Sequence, residues 1–376
     1  MIVNNDTKLG KGILGKLSTT EENPISYIIK AMLTKFNSNI TLLSVSPINE
    51  YVVNASLKTA NDLKAPITLI ASLNQVDYDG GYTGYTQQGF VKLVKDKAKK
   101  LNIDSLVFIS LDHCGPWLKD KHIELNLSLR EAMDDCKKSM ENAIKAGYDL
   151  IHVDTTVDAE SSKPPKPELA AERTIKLIDY AEDLRLSEGL RVLVYEIGSD
   201  RWGYRDVEHA VKLVSLVLSG LKRKGINTGN VVFAVGDVGT VVKPGNRLDT
   251  IKATKLVESF LNMGVFLKVH SADYVENPWE FPRVGIGGAN VGPMFADLMF
   301  RKIKELKLIE GNLELSRRSE IINVILSELS KEIGVLKYVA SLNELNSLIN
   351  SDREYLLGIM TRYIWNRERI KHELNV

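Results

Sequence analysis

The feature that most constrains this chain is an eightfold alternation. Eight short apolar runs recur along it, at Ile40–Val45, Ile67–Ser72, Leu106–Leu111, Leu150–Val153, Arg191–Tyr195, Val231–Val235, Val265–Val269 and Arg283–Ile286. A stretch with helical periodicity follows each one. Strands that alternate with helices pair in parallel, because each helix carries the chain back along the sheet before the next strand begins. Eight such units in about 270 residues match one (β/α)8 TIM barrel. The competing arrangement is an open doubly wound sheet, which would show a Gly-x-Gly-x-x-Gly turn after its first strand. No such turn follows Val45.

The barrel is expected over residues 23–305, with a helix from Pro24 to Lys35 leading into it. Residues 1–22 form a polar N-terminal segment. Beyond Glu310 strand signals stop, and charged and apolar residues alternate at helical spacing from Leu315 to Trp365. Residues 306–376 are therefore expected to form a helical extension that covers the barrel or makes an oligomer contact.

Composition removes several function classes. The 49 basic and 48 acidic residues leave a net charge of +1, which gives no electrostatic footprint for nucleic acid or an anionic membrane. No apolar run approaches the ~18–20 residues a bilayer crossing needs, and Met1 to Lys16 holds no signal-peptide core. Two cysteines in 376 residues point to a reducing, cytoplasmic setting. Cys114 and Cys136 lack metal-finger spacing and read as packing residues.

The strand ends carry the chemistry. In a (β/α)8 barrel all eight C-terminal strand ends lie on one face. Here they offer Asn74 and Gln75, then Asp112 and His113, then Asp154, Glu196, Asp237 and His270. Polar residues of metal-ligand and acid–base types converge here from six strands, and such carboxylates and imidazoles are costly to bury unless a shared partner satisfies them. His152 shares the parity of Asp154, so it faces the interior if Asp154 does, as a ligand or as barrel filling. Glu196 has Arg201 and Arg205 as nearby ion-pair partners. The turn from Gly285 through Gly287 and Gly288 would cradle a phosphate if it follows strand eight. His122, His209 and His372 read as surface residues.

Several segments resemble the accessory subunits of tagatose-bisphosphate aldolase, the GatZ/KbaZ type. They are ITLIASLNQVDYDGGYTG at 67–84, LDHCGP at 111–116, IHVDT at 151–155, VVKPG at 241–245, HSADY at 270–274 and VGP at 291–293. A more distant likeness runs to class II fructose- and tagatose-bisphosphate aldolases, through residues 46–66 and the KPGN turn at 243–246. The resemblance implies a metal-dependent barrel acting on ketohexose phosphates. It implies that Asp112 transfers a proton, that His113 and His270 ligate the metal, and that Asp154 and Glu196 lie near it. Lys243 would face a phosphate. The catalytic aldolases carry a further zinc histidine four residues before that lysine, where this chain has Gly239. Asp237 or Glu196 would then supply an oxygen ligand.

These readings give two expectations for function. The first is an enzyme that runs retro-aldol and aldol chemistry on ketohexose phosphates, as a 4-epimerase or a class II aldolase. Its metal would be bound by His113, His270 and Glu196; zinc is expected, with manganese or cobalt as alternatives. Asp112, Glu196 and Asp154 would be its catalytic carboxylates, and Asn74, Gln75, Lys243, Gly287 and Gly288 would bind substrate. The second is a non-catalytic subunit that stabilises an aldolase partner. Both accommodate a homo-oligomer or a partner aldolase chain, and neither involves nucleic acid or a membrane.

Overall fold

Eight parallel strands close into a barrel in sequence order. They are β1 (Leu42–Val45), β2 (Ile67–Ser72), β3 (Val107–Cys114), β4 (Leu150–Val153), β5 (Val194–Gly198), β6 (Val231–Val235), β7 (Phe266–Val269) and β8 (Gly288–Val291). This structure, a computed structural model, describes residues 24–34, 40–161, 163–200, 204, 206–314 and 318–374. The polar segment 1–22, Lys35, Arg201 and Arg205 lie outside the described residues.

Strands covered on both faces read as continuous apolar runs, and β6 is buried at all five positions. The intervening helices start where a short polar side chain takes up an orphan backbone N–H. Asn49, Thr86, Ser128, Asp206 and Asp249 each accept such a bond. The helix Leu129–Ala146 adds a full capping box with Glu131 and ends on Gly147 in the left-handed conformation.

β1 and β7 begin one or two residues late, and three other strands depart further from expectation. The eighth is Gly288–Val291, not Arg283–Ile286. Residues Glu280–Val284 form a short helix that Gly285 ends at φ +96°. The true strand is weakly apolar because it needs small residues: a Cβ on Gly288 would lie 3.0 Å from the Lys268 side chain. β3 runs on through Asp112 and His113, and β5 starts later and includes Glu196.

The two ends of the barrel differ. The helix Pro24–Thr34 closes the end where the strands begin, packing Ile29 and Leu33 against Leu42, Phe108, Leu150, Val194 and Phe233. The opposite end is left to the loops and to the C-terminal helices. After β8 the helix Pro293–Gly311 runs through the expected boundary at 305/306. Short helices follow from Ile321 to Leu374, and Leu357, Met360, Tyr363 and Ile364 join the main core. Among the described residues no helix is long and apolar enough to cross a membrane.

Candidate metal centre

Side chains alternate in and out along a strand. On that rule Asp112 and His113 point to opposite faces, yet both reach the rim. A bulge makes this so. β3 advances from Leu111 to Cys114 while β4 advances only from Ile151 to Val153, so β3 carries one extra residue. His113 takes up the difference at φ +49°, a conformation few residues other than glycine adopt. His152 on β4 and His270 just after β7 keep the regular inward parity.

The result is a triangle of imidazoles. The ring centres of His113, His152 and His270 lie 4.8, 4.9 and 5.0 Å apart. One ligating atom from each, with one Asp112 oxygen, falls within a 4.8 Å group. Each outer ring nitrogen meets an acceptor. His113 Nδ1 lies 2.9 Å from Asp154 Oδ2, His152 Nε2 lies 2.9 Å from the Gly198 carbonyl, and His270 Nε2 lies 2.7 Å from Glu196 Oε1. Such outer partners fix the tautomer and turn the inner nitrogens toward the centre, where His152 Nδ1 also receives the His113 backbone N–H at 3.2 Å. His113 Nε2 and His270 Nδ1 are 3.3 Å apart. Two nitrogens have that spacing when both lie ~2.0–2.1 Å from one tetrahedral zinc ion.

The electrostatics fit a cation. Asp112, Asp154 and Glu196 surround the imidazoles, and among the described residues Lys268 is the one ammonium with them, 2.5 Å from Glu196 Oε2. That leaves a surplus of two negative charges, which one divalent ion balances. Burial pushes the Asp112 carboxyl up, but His113, His270 and His152 outweigh it and hold it well below the usual range. Burial opposes charge on His152, but Glu196, Asp112 and Asp154 outweigh it and raise its pKa to about 9. His152 Nδ1 lies 2.9 Å from Asp112 Oδ1.

Several expected residues stand elsewhere or do other work. Glu196 is behind His270, with one oxygen on that ring and the other on Lys268, and is not a member of the ligating group. Asp154 stands behind His113 and also accepts from Thr156. Asp237 is turned away, bonded to Lys252 at 2.7 Å and to the Gly239 N–H. Gly239 itself has φ +80°. The β6 corner thus supplies no ligand, and the third imidazole comes from β4. Asn74 and Gln75 line the cleft above the centre but spend their amides on loops: Asn74 ties Leu118 to Asp120, and Gln75 accepts from Ser46 and Ser72. Lys243 is exposed and outside the cleft lining. Gly287 and Gly288 enter β8 at the closed end of the barrel, where a Cβ on Gly287 would meet Phe266 and Leu33, so they form no turn at the rim. His122 is buried rather than exposed, paired with Asp135 at 2.9 Å.

The cleft over the imidazoles has a volume of about 610 Å³. Barrel loops form one wall. Lys337, Tyr338, Arg362 and Tyr363 of the C-terminal extension form the other.

The profile of the D-tagatose-1,6-bisphosphate aldolase subunit GatZ/KbaZ-like family matches residues 29–376. The D-tagatose-1,6-bisphosphate aldolase subunit GatZ of Escherichia coli (strain K12) is 25% identical over 363 residues, covering 90% of this chain and 84% of that protein. The crystal structure of a probable tagatose 6 phosphate kinase from Sinorhizobium meliloti 1021 superposes with a TM-score of 0.76 at 25% identity, covering 89% of this chain and 86% of that one. The fructuronate-tagaturonate epimerase UxaE from Cohnella laeviribosi shares the fold, with a TM-score of 0.52 at 12% identity over 94% of this chain and 77% of that one. A match that begins in the barrel's closing helix and runs to the last residue places this chain in the D-tagatose-1,6-bisphosphate aldolase subunit GatZ/KbaZ-like family.

Proposed function

We propose that this chain is a metal-dependent enzyme that breaks and remakes the C3–C4 bond of a ketohexose phosphate, as a 4-epimerase or a class II aldolase. The observation that carries this reading is the set of three imidazoles, each backed by an outer acceptor, beside an ionised Asp112. His113, His152 and His270 would hold the ion, zinc or else manganese or cobalt, with Asp112 at its edge. The chemistry a divalent ion supplies at such a centre is Lewis-acid polarisation of a carbonyl, here at C2 of the ketose.

The protein's own part is proton transfer and positioning. Asp112 accepts the C4 hydroxyl proton as that oxygen's electron pair forms the aldehyde and the C3–C4 pair moves toward C2. Release of the aldehyde is aldolase chemistry. Rotation of the aldehyde, re-addition and return of the proton from Asp112 is 4-epimerisation. Asp154 and Glu196 keep His113 and His270 in place throughout. Retention of the aldehyde in the cleft decides between the two outcomes, and the face it presents on re-addition sets the configuration at C4. A reducing cytoplasmic setting, and assembly with itself or with an aldolase chain, belong to the same proposal.

The word "subunit" in the descriptions of the family and its relatives favours a second reading, a non-catalytic barrel that supports an aldolase partner. One experiment separates them. The purified chain is analysed for metal by mass spectrometry and incubated alone with fructose 6-phosphate and with tagatose 1,6-bisphosphate. Bound divalent metal and conversion of either sugar are expected. The His113→Ala/His270→Ala double variant should lose both and still unfold in one cooperative transition, since Lys268 remains on the buried Glu196. Metal without conversion, and activity only after an aldolase chain is added, would establish the second reading.

A further inference from the structure

The C-terminal extension brings to the cleft a cation that no described carboxylate bonds; the buried Asp273 carboxylate feels its charge without contacting it. Arg362 sits in the 3-10 turn Thr361–Tyr363 and donates to the Tyr338 hydroxyl at 2.6 Å and the Tyr363 hydroxyl at 3.0 Å. Its guanidinium lies 5.4 and 4.7 Å from the centres of those two rings. Tyr82 packs edge-on against Tyr363 at 5.0 Å and completes an aromatic collar. Among the described residues no carboxylate pairs with Arg362. Lys337 lines the same wall, but both oxygens of Asp120 hold its ammonium at 2.6 Å. A guanidinium with five donors, bonded only to phenols among the described residues, keeps donors for an arriving anion.

The place where (β/α)8 barrels commonly bind phosphate is already filled. It is the N-terminus of the helix after the last strand. Here the buried Asp273 carboxylate accepts from the Gly292 N–H at 3.0 Å and the Met294 N–H at 2.7 Å. An incoming phosphate would meet a carboxylate in its own position. Beside it on β8, Asn290 is 8% exposed and lines the cleft with both amide atoms unpartnered. A buried amide left open in a cleft suits a neutral hydroxyl, which both donates and accepts.

We propose that Arg362 and its tyrosine collar are the anion-recognition site of this cleft. We further propose that the ligand carries a single anionic group, a phosphate or a carboxylate, at the end that reaches the C-terminal extension, with hydroxyls toward Asn290. That the ligand is a sugar rests on the ketose reading above; that it is anionic does not. A bisphosphate's second phosphate would find the N-terminus of the helix after β8 already taken by Asp273.

The test is calorimetric titration of the full, metal-containing chain with polyols that lack the carbonyl and so do not react. The probes are glucitol, glucitol 6-phosphate, glucitol 1,6-bisphosphate, gluconate and inorganic phosphate. Glucitol 6-phosphate or gluconate is expected to bind about tenfold or more tighter than glucitol, because a charge-assisted bond is added. Whichever of the two wins identifies the group. The bisphosphate should bind no tighter than the monophosphate. Arg362→Met should abolish the preference while glucitol affinity and metal content stay unchanged, and Arg362→Lys should keep part of it. An equal affinity of wild type for glucitol and both anionic polyols, with no binding of inorganic phosphate, overturns the site, and that comparison holds even if Arg362→Met fails to fold. A preference that survives in Arg362→Met also overturns it, and a tighter bisphosphate overturns the single-anion claim. Arg362-dependent binding of inorganic phosphate with no polyol bound would support the anion site and defeat the ketose reading alone.

Discussion

Exchanging Asp112 for asparagine is expected to lower turnover by about 10²–10⁴-fold while metal content and fold stay as in wild type. The substitution changes little in shape. The amide oxygen still reaches His152 Nδ1, which lies 2.9 Å from the carboxylate. The three imidazoles keep their outer partners, none of which is Asp112. What is lost is a group able to take a proton, because an amide is not basic at neutral pH. Asp112 suits that role because its surroundings keep it ionised: burial raises its carboxyl pKa, but the three nearby histidines outweigh that. Steady-state rates on fructose 6-phosphate and metal analysis of the same preparation check the outcome. Wild-type turnover in Asp112→Asn would move the proton transfer to another residue. A deuterium at C4 that survives epimerisation would support cleavage of the carbon–carbon bond over deprotonation at C4.

The largest effect on stability is expected at Lys268. Its ammonium is 1% exposed and sits 2.5 Å from Glu196, which is fully buried. Burial raises the Glu196 carboxyl pKa, yet Lys268, His152 and His270 outweigh it and hold it down at about 2. Lys268→Met keeps the volume of the stem and leaves that carboxylate without its ammonium. Removing one partner of a buried pair costs about 3–5 kcal/mol, well above the ~1 kcal/mol of an average substitution. Urea unfolding of Lys268→Met should show the loss, and adding Glu196→Gln should restore part of it. A loss below ~1 kcal/mol would mean that the histidines alone neutralise Glu196.

The barrel was legible in the sequence because parallel strands buried on both faces leave unbroken apolar runs. β2, β4 and β6 fall at their expected bounds. β8 was not legible, since Gly-Ala-Asn-Val has no such run and was selected by what it packs against, namely Lys268 and Phe233. The rim carboxylates and two of the histidines were legible as strand-end residues. The bulge that turns His113 inward was not, because nothing in Leu-Asp-His-Cys announces an extra residue on one strand. His152 had a signal, its shared parity with Asp154, but parity alone does not separate a ligand from barrel filling. Glu196 has the residue type of a ligand, and only the position of Lys268 shows that both its oxygens are engaged. Arg362 had no local signal, since its place at the cleft depends on how the C-terminal helices fold back over the rim.

The claim on which the functional account depends is that one metal ion sits among three imidazoles from three strands. Diffraction from crystals of the metal-loaded chain, recorded on either side of the zinc absorption edge, tests it most directly. The account predicts a single anomalous peak ~2.0–2.1 Å from His113 Nε2, His152 Nδ1 and His270 Nδ1. A zinc peak on other residues, or none in a chain that binds zinc stoichiometrically in solution, would contradict it.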